Sequence, residues 1–197
     1  MAKFLRACMA SLLLAASAPC LGSPAPAVDF GYEYYPVTGA TTDEINASIQ
    51  VQTPIVAGGR KYGAVTRNDF WTNYARVDSP SGGCEVRNVR VKLRTRIVLP
   101  SLQPGRRSAA VQAEWGRYIR ALHEHEMMHA KNGARTAQTV ISRLFRFKSD
   151  LSCNEMGPML DAAVNQLISN ISVWDMRFDS ETQHGATHGA VLRGGIR

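Results

Sequence analysis

The hydrophobic period of the chain changes once, just after residue 100, and this change limits the folds that the chain can adopt. Residues 85–100, "EVRNVRVKLRTRIVLP", alternate apolar side chains with arginine and lysine, which is the two-residue period of a strand with one face in water. After the loop "SLQPGRR", apolar residues recur at intervals of three and four, which is the period of a helix packed on a core. Strands followed by helices predict a single α+β domain.

Two long helices are predicted in the second half of the chain, the first over about 109–148 and the second beginning after Cys153. Their apolar stripes are Val111, Trp115, Tyr118, Leu122, Val140 and Leu144 in the first, and Leu160, Val164, Leu167, Ile171, Trp174 and Phe178 in the second. The first half is predicted to form an antiparallel sheet with a short helix, which a capping box between Thr41 and Glu44 begins. The end of the Gly-rich tail, "RGGIR", is expected to be mobile.

The N-terminus has the order of segments found in a secretory signal peptide. "MAKFLR" is basic, "ACMASLLLAASA" is apolar but too short to span a bilayer, and "PCLGSPAPA" is rich in small residues and proline. This order predicts a signal peptide over residues 1–27, a mature domain over 28–197, and a secreted or periplasmic protein. Pro19 stands where a lipoprotein signal needs a small residue, which argues against a lipid on Cys20. No later stretch has the length of an integral membrane segment.

Export also bears on the cysteines and on the charge. Removal of Cys8 and Cys20 leaves Cys84 and Cys153 as an even pair in an oxidising compartment, where a disulfide is expected and two free thiols are the alternative. A net charge of +7 is also found in proteins that bind nucleic acid. The cations cluster on the strand at 85–100, so a solvated basic face, with no nucleic-acid partner, is the favoured interpretation.

The apolar stripe of the first long helix continues through two histidines, at positions where apolar residues belong. Two buried imidazoles one helical turn apart are costly unless both are satisfied, either by backbone carbonyls or by a metal ion. Side chains at i and i+4 project in parallel, so His125 and His129 can bind one zinc ion. Glu126 can take a proton from a water that zinc acidifies and deliver it to a leaving amine. The five residues 125–129 form H-E-x-x-H, a zinc-peptidase pattern.

A third zinc ligand is needed, because catalytic zinc sites have three protein ligands and an open position. The extended pattern that supplies a third histidine in metzincins fails here, since Asn132 replaces its glycine and Arg135 its last histidine. The candidates that remain are Asp150, Glu155, Asp175, Asp179, His184 and His188. Antiparallel packing of the second helix on the first would carry "DSETQHGATHG" to a defined place near the histidines. Zinc favours imidazole, and the anchored end of this helix favours His184 over His188.

The chain resembles a bacterial family of secreted Zn-dependent proteases that is described as a domain of unknown function. The resemblance lies in "YYPVTGATTDEI", "GAVTRNDFWTNY", "GGCEVRNVRVKLRTRIVLP", "WGRYIRALHEHEMMHAKNG" and "FDSETQHGATHGA". The family pattern, H-E-x-x-H and a later D-x-x-T-x-H-G, falls on His125, Glu126, His129, Asp179, Thr182, His184 and Gly185. The resemblance implies a zincin-like fold and a Zn²⁺ site completed by His184.

Two functions from different classes are therefore expected. The first is an exported zinc peptidase acting on a protein or peptide substrate, with His125, His129 and His184 as ligands and Glu126 as general base and acid. The second is a non-catalytic periplasmic binding or envelope-assembly protein whose zinc site is structural or vestigial. The intact Glu126 favours the enzyme, because a purely structural site needs no base.

Overall fold

The structure, a computed structural model, describes residues 24–197, so nearly all of the predicted signal peptide lies outside the described residues. In chain order the elements are β1 (Ala27–Val37), α1 (Thr42–Gln52), β2 (Val56–Ala57), β3 (Arg60–Lys61), β4 (Val65–Asp78), β5 (Cys84–Leu102), α2 (Ala109–Leu144), β6 (Lys148–Ser149), α3 (Cys153–Thr182) and a single 3₁₀ turn (Ala186–His188). The predicted α+β class, with a sheet and short helix followed by two long helices, is confirmed.

The main sheet has the order β1-β5-β4, with β6 added beside β5. β4 and β5 form an antiparallel pair from Val65 opposite Val98 to Asp78 opposite Cys84. β1 runs parallel to β5, with Ala27 opposite Lys92, so the sheet is mixed rather than antiparallel throughout. β4 forms the hairpin with β5 and occupies one of its edges. β1 therefore joins the other edge, across a connection long enough to hold α1.

The predicted alternation in β5 decides which face of the sheet is covered. Val91, Leu93, Ile97 and Leu99 are buried in the core. Arg90, Lys92 and Arg94 are exposed. The long helix α2 packs against the buried face, with its own stripe turned towards the sheet. None of the described helices is both long and apolar enough to cross a membrane.

Both long helices begin at serine caps, and the first ends sooner than the sequence predicts. Ser108 Oγ accepts the N–H of Val111 at 3.3 Å and starts α2. Ser152 and Glu155 form a capping box that starts α3. α2 ends at Leu144 instead of near 148, because the chain turns through a left-handed backbone conformation at Arg146 (φ 59°) to form β6.

The disulfide predicted from the cysteine count is confirmed. Cys84 and Cys153 are bonded, with their Cα atoms 4.9 Å apart, and they join the start of β5 to the start of α3. Cys84 is completely buried in the cluster that α2 and α3 form with the sheet. The bond therefore fixes one end of α3 against the sheet, while the other end reaches the histidines of α2.

Removal of this disulfide should lower stability strongly. The bond closes a sequence separation of 69 residues, for which the chain-entropy model gives roughly 4 kcal/mol of stabilisation. We expect the Cys84→Ala/Cys153→Ala variant of residues 28–197 to lose about 2–4 kcal/mol of unfolding free energy in urea titrations. The wild-type protein should show no reactive thiol before reduction and two after it. Two labelled thiols in the unreduced protein would contradict the bond.

The C-terminal tail is held in place, contrary to the expectation that its end is mobile. Arg117 of α2 donates hydrogen bonds to the carbonyls of Gly189 (2.6 Å) and Val191 (2.5 Å). The N–H of Thr42 in α1 donates to the carbonyl of Ile196 at 3.0 Å. Leu192 is buried in the core. The tail is thus tied to both α1 and α2, and this fixes the turn that follows α3.

Glu114 of α2 is the acidic partner in this attachment, and its protonation should weaken the fold. Its carboxylate accepts hydrogen bonds from Arg117 Nη2 (2.5 Å) and from the N–H of Arg193 (2.9 Å), and mainly the Arg117 bond lowers its pKa from 4.5 to about 2. A carboxyl whose pKa is depressed by folding stabilises the fold above its ordinary pKa. That stabilisation is lost as the pH falls towards the folded-state value.

We therefore expect Glu114→Gln to lower the unfolding free energy at pH 7 by about 1–2 kcal/mol. The difference from wild type should shrink as the pH falls from about 4.5 to about 2, because wild-type Glu114 is then also neutral. Urea titrations over this pH range measure it. Glu181→Gln, which removes an exposed ion pair with Arg177 on α3, is the control and should have little effect. A difference that does not change with pH would contradict the assignment.

Candidate metal centre

The centre lies where α2, α3 and the turn after α3 meet. α2 contributes His125 and His129, one turn apart on its buried stripe. α3 packs against α2 and contributes Asp175 and Asp179, which are also one turn apart. Two pairs with the same i, i+4 spacing thus face each other across the helix–helix contact.

Three of these side chains bring their donor atoms together. Asp179 Oδ1 lies 3.0 Å from His125 Nε2 and 3.1 Å from His129 Nε2, and the two Nε2 atoms are 3.4 Å apart. Both histidines are buried, and all three donor atoms lie within 4.8 Å of one another. A tetrahedral zinc ion with bonds of about 2.0–2.1 Å places its ligand atoms about 3.4 Å apart. The donor types and their spacing therefore fit zinc.

The two imidazoles are fixed in different ways. His129 Nδ1 lies 2.9 Å from Asp175 Oδ1, on the side of the ring turned away from the cluster. His125 Nδ1 is buried, and no other described residue forms a hydrogen bond with it. Its ring stacks on Phe178, with centroids 5.0 Å apart and planes at 14°. A Cβ on Gly185 would lie 2.9 Å from His125 Cγ, so close packing, together with the contact between Nε2 and Asp179, holds this ring.

Glu126 is buried beside the histidines and is held by the neighbouring strand. Thr66 of β4 lies 2.7 Å from the Oε2 of Glu126 and 2.9 Å from its carbonyl oxygen, and its hydroxyl can donate to either. Burial raises the pKa of the Glu126 carboxyl, against the opposing effects of Thr66 and of the two histidines. The position suits a proton acceptor, since a raised pKa brings a carboxylate closer to neutral pH.

The electrostatics of the cluster couple an imidazole to two carboxylates. Burial alone lowers the pKa of His129, but hydrogen bonds with Asp175 and Asp179 outweigh it and raise the pKa to about 10. Burial raises the pKa of Asp179, but its bonds with His125 and His129 outweigh that effect and leave the pKa well below its ordinary value. The cluster thus favours a positively charged His129 ring beside an ionised Asp179.

A cavity of about 350 Å³ opens beside the cluster. The polar residues that line it include Glu126, both histidines, Asp175, Asp179 and His184. Its apolar and aromatic lining residues are Ile55, Ala57, Ala64, Val65, Tyr118, Leu122 and Ala190. The cluster of His125, His129 and Asp179 is therefore reached from a pocket rather than sealed inside the core.

His184 lies at this cavity, next to the cluster but outside its compact donor group. Its Nδ1 is 3.6 Å from Asp179 Oδ2, its ring packs against Tyr62 at 4.8 Å, and its side chain is 51% exposed. Gln183 and His184 both have left-handed backbone conformations (φ 52° and 53°), which the bond from His184 N–H to the Asp179 carbonyl (2.8 Å) helps to hold. The role of His184 as third ligand stays a prediction, and Asp179 is the donor nearer to both rings.

The other candidates from the sequence lie elsewhere. Glu155 closes the capping box at the opposite end of α3, and Asp150 is exposed just before that end. His188 is exposed, with its ring 6.3 Å from that of Phe178. His123, on the same helix as the two clustered histidines, forms a 2.8 Å hydrogen bond with the hydroxyl of Tyr32 and does not belong to the cluster.

Sequence reasoning missed the contacts that support the site. Asp175 was only one of several acidic candidates, although its spacing from Asp179 matches that of the histidine pair and could have indicated a joint role. Thr66 gave no signal, because a threonine in a predicted strand is ordinary. Its contact with Glu126 depends on how β4 lies across α2.

The comparisons with known proteins cover the whole site. A family model described as "Bacterial protein of unknown function (DUF922)" matches residues 32–185. The matched segment begins in β1 and includes every residue of the cluster and His184. No curated protein and no solved structure matches the chain significantly.

Proposed function

For this chain, which belongs to the DUF922 family of bacterial proteins of unknown function, we propose the activity of an exported zinc-dependent peptidase. The observation that carries the proposal is the convergence of His125, His129 and Asp179 beside a buried glutamate at the edge of a cavity. The disulfide supports an oxidising compartment, and thereby export.

His125 and His129 would hold the zinc ion through Nε2, and Asp179 would hold it through Oδ1. His184 is the alternative third ligand, since it lies beside Asp179. Two imidazoles and a carboxylate form an ordinary catalytic zinc set. Bound zinc would supply a Lewis acid for the scissile carbonyl and would lower the pKa of the attacking water.

Glu126 would act on the proton of that water. Its carboxylate takes the proton as the water attacks the peptide carbonyl and then delivers it to the leaving amine. Thr66 holds the carboxylate by its Oε2 atom, at 2.7 Å, so that the other oxygen remains free to accept the proton. Burial of Glu126 excludes bulk water from this transfer and keeps the carboxylate basic.

The cavity supports a peptide as the substrate. Its lining combines apolar residues, which suit a hydrophobic side chain, with the cluster and Glu126. A structural zinc site is closed by four protein ligands. The compact donor group supplies three and faces the cavity, which favours a site with an open position over a structural one.

The test uses the mature chain, residues 28–197, loaded with zinc and then freed of unbound metal. We expect about one zinc ion per chain, as catalytic zinc sites hold. We also expect cleavage of a mixed peptide library detected by mass spectrometry, loss of cleavage with a chelator and its return with added zinc. A protein that takes up no zinc would refute the metal site. Stoichiometric zinc without cleavage of any peptide would refute the peptidase and favour a binding protein.

A further inference from the structure

We propose that Asp175, itself held by Asn132, is a positioning residue that sets the ring of His129 for metal binding. The inference rests on the proposed metal site but not on hydrolysis. It gives α3 a second acidic residue that supports the site without binding the ion. Its evidence is a chain of two hydrogen bonds that crosses the contact between α2 and α3.

The first hydrogen bond decides which ring nitrogen of His129 can bind a metal. A carboxylate can only accept, so the 2.9 Å contact between Asp175 Oδ1 and His129 Nδ1 requires the proton to be on Nδ1. An imidazole that binds a metal is neutral and carries one proton, so a proton held on Nδ1 leaves the lone pair of Nε2 for the metal. That atom faces Asp179 Oδ1 at 3.1 Å and His125 Nε2 at 3.4 Å. Asp175 thus selects the tautomer that the metal site needs.

The second hydrogen bond fixes Asp175 itself. Asn132 Nδ2 donates to the same Oδ1 atom at 3.1 Å. Asn132 lies on α2, three residues after His129 and therefore on the same side of that helix. The oxygen of Asp175 is held between two groups of α2. A small rotation of α3 would strain both bonds, so the pair ties the helix–helix packing to the orientation of the ring.

Asp175 is not a competing metal ligand in this arrangement. The oxygen that binds His129 contacts the nitrogen on the far side of the ring from the cluster. The compact donor group contains Asp179 and not Asp175. His125 Nδ1 has no hydrogen-bond partner among the described residues, and the ring of His125 stacks on Phe178. Loss of Asp175 should therefore loosen one of the two rings and leave the other in place.

Replacement of Asp175 is expected to lower the affinity for zinc without abolishing zinc binding. Replacement of a residue that orients a metal ligand typically lowers metal affinity 10–100-fold. We expect Asp175→Ala to lower zinc affinity by roughly this factor. Asp175→Asn should fall between Ala and wild type, because its amide oxygen can still accept from Nδ1. Asn132→Ala should have a smaller effect, and it should add little to Asp175→Ala, since both variants break one chain.

The experiment measures zinc affinity by competition with a chromogenic chelator, together with the absorption spectrum of the cobalt-substituted protein. Glu181→Gln, an exposed carboxylate on the same helix, is the matched control and should bind zinc as wild type does. The thermal midpoint of each metal-free variant separates positioning from stability. An altered cobalt spectrum with a metal-free midpoint within a few degrees of wild type supports the inference.

Three results would overturn the inference. One is wild-type zinc affinity in Asp175→Ala. Another is a loss of affinity that appears equally in the control, and the third is a loss explained by unfolding of the metal-free variant. A wild-type protein that binds zinc but cleaves no peptide would refute the proposed peptidase and leave the role of Asp175 standing. A wild-type protein that binds no zinc would remove the site and the inference together.

Discussion

Glu126→Gln is expected to reduce peptide hydrolysis by about 10²–10⁴-fold while the zinc content stays near that of wild type. The amide has the shape of the carboxylate, and its oxygen can still accept the hydrogen bond from Thr66, but it cannot take a proton from water. The variant therefore removes proton transfer and leaves the metal cluster of His125, His129 and Asp179 intact. The assay is kcat/KM on the best peptide found in the library, with zinc measured in the same samples.

Glu124→Gln is the matched control for this experiment. Glu124 lies two residues before Glu126 on the same helix but is exposed to solvent, so its replacement should leave both rate and zinc unchanged. A Glu126→Gln variant that loses its zinc would show that Glu126 is a metal ligand and not the general base. A variant that keeps the wild-type rate would exclude Glu126 as the base.

In alanine variants of the proposed metal ligands, zinc affinity should fall by more than the 10–100-fold that is typical when an orienting residue is replaced. His125→Ala and His129→Ala each remove a buried donor atom that no other described residue replaces. The decisive pair is Asp179→Ala and His184→Ala. Asp179 Oδ1 lies 3.0–3.1 Å from a ring nitrogen of each histidine, whereas His184 is half exposed and its Nδ1 lies 3.6 Å from Asp179 Oδ2.

We expect Asp179→Ala to show the large loss of zinc affinity and His184→Ala a smaller one. His188→Ala is the control, since its ring is exposed. The measurement is zinc affinity by chelator competition, with circular dichroism to confirm that each variant is folded. A loss in His184→Ala equal to that in the His125 variant would restore the sequence-based assignment of His184. Unchanged affinity in all four ligand variants would exclude this cluster as the metal site.

The local elements and part of the site could be predicted from the sequence, because short-range patterns determine them. Alternation in β5 predicted its buried face, and the capping box at Thr41 predicted the start of α1. The stripe of α2 predicted that His125 and His129 are buried, since a helix fixes which side chains share a face. The count of cysteines outside the predicted signal peptide predicted the disulfide between Cys84 and Cys153.

Only the tertiary structure decided which distant side chains meet those of α2. The contact of Asp179 with His125, the contact of Asp175 with His129, and the support of Glu126 by Thr66 all depend on how separate elements are placed against each other. The same holds for the parallel pairing of β1 with β5. A helix or strand period fixes the face that each segment buries. It does not fix the rotation and offset between two segments, which follow from the packing of the whole core.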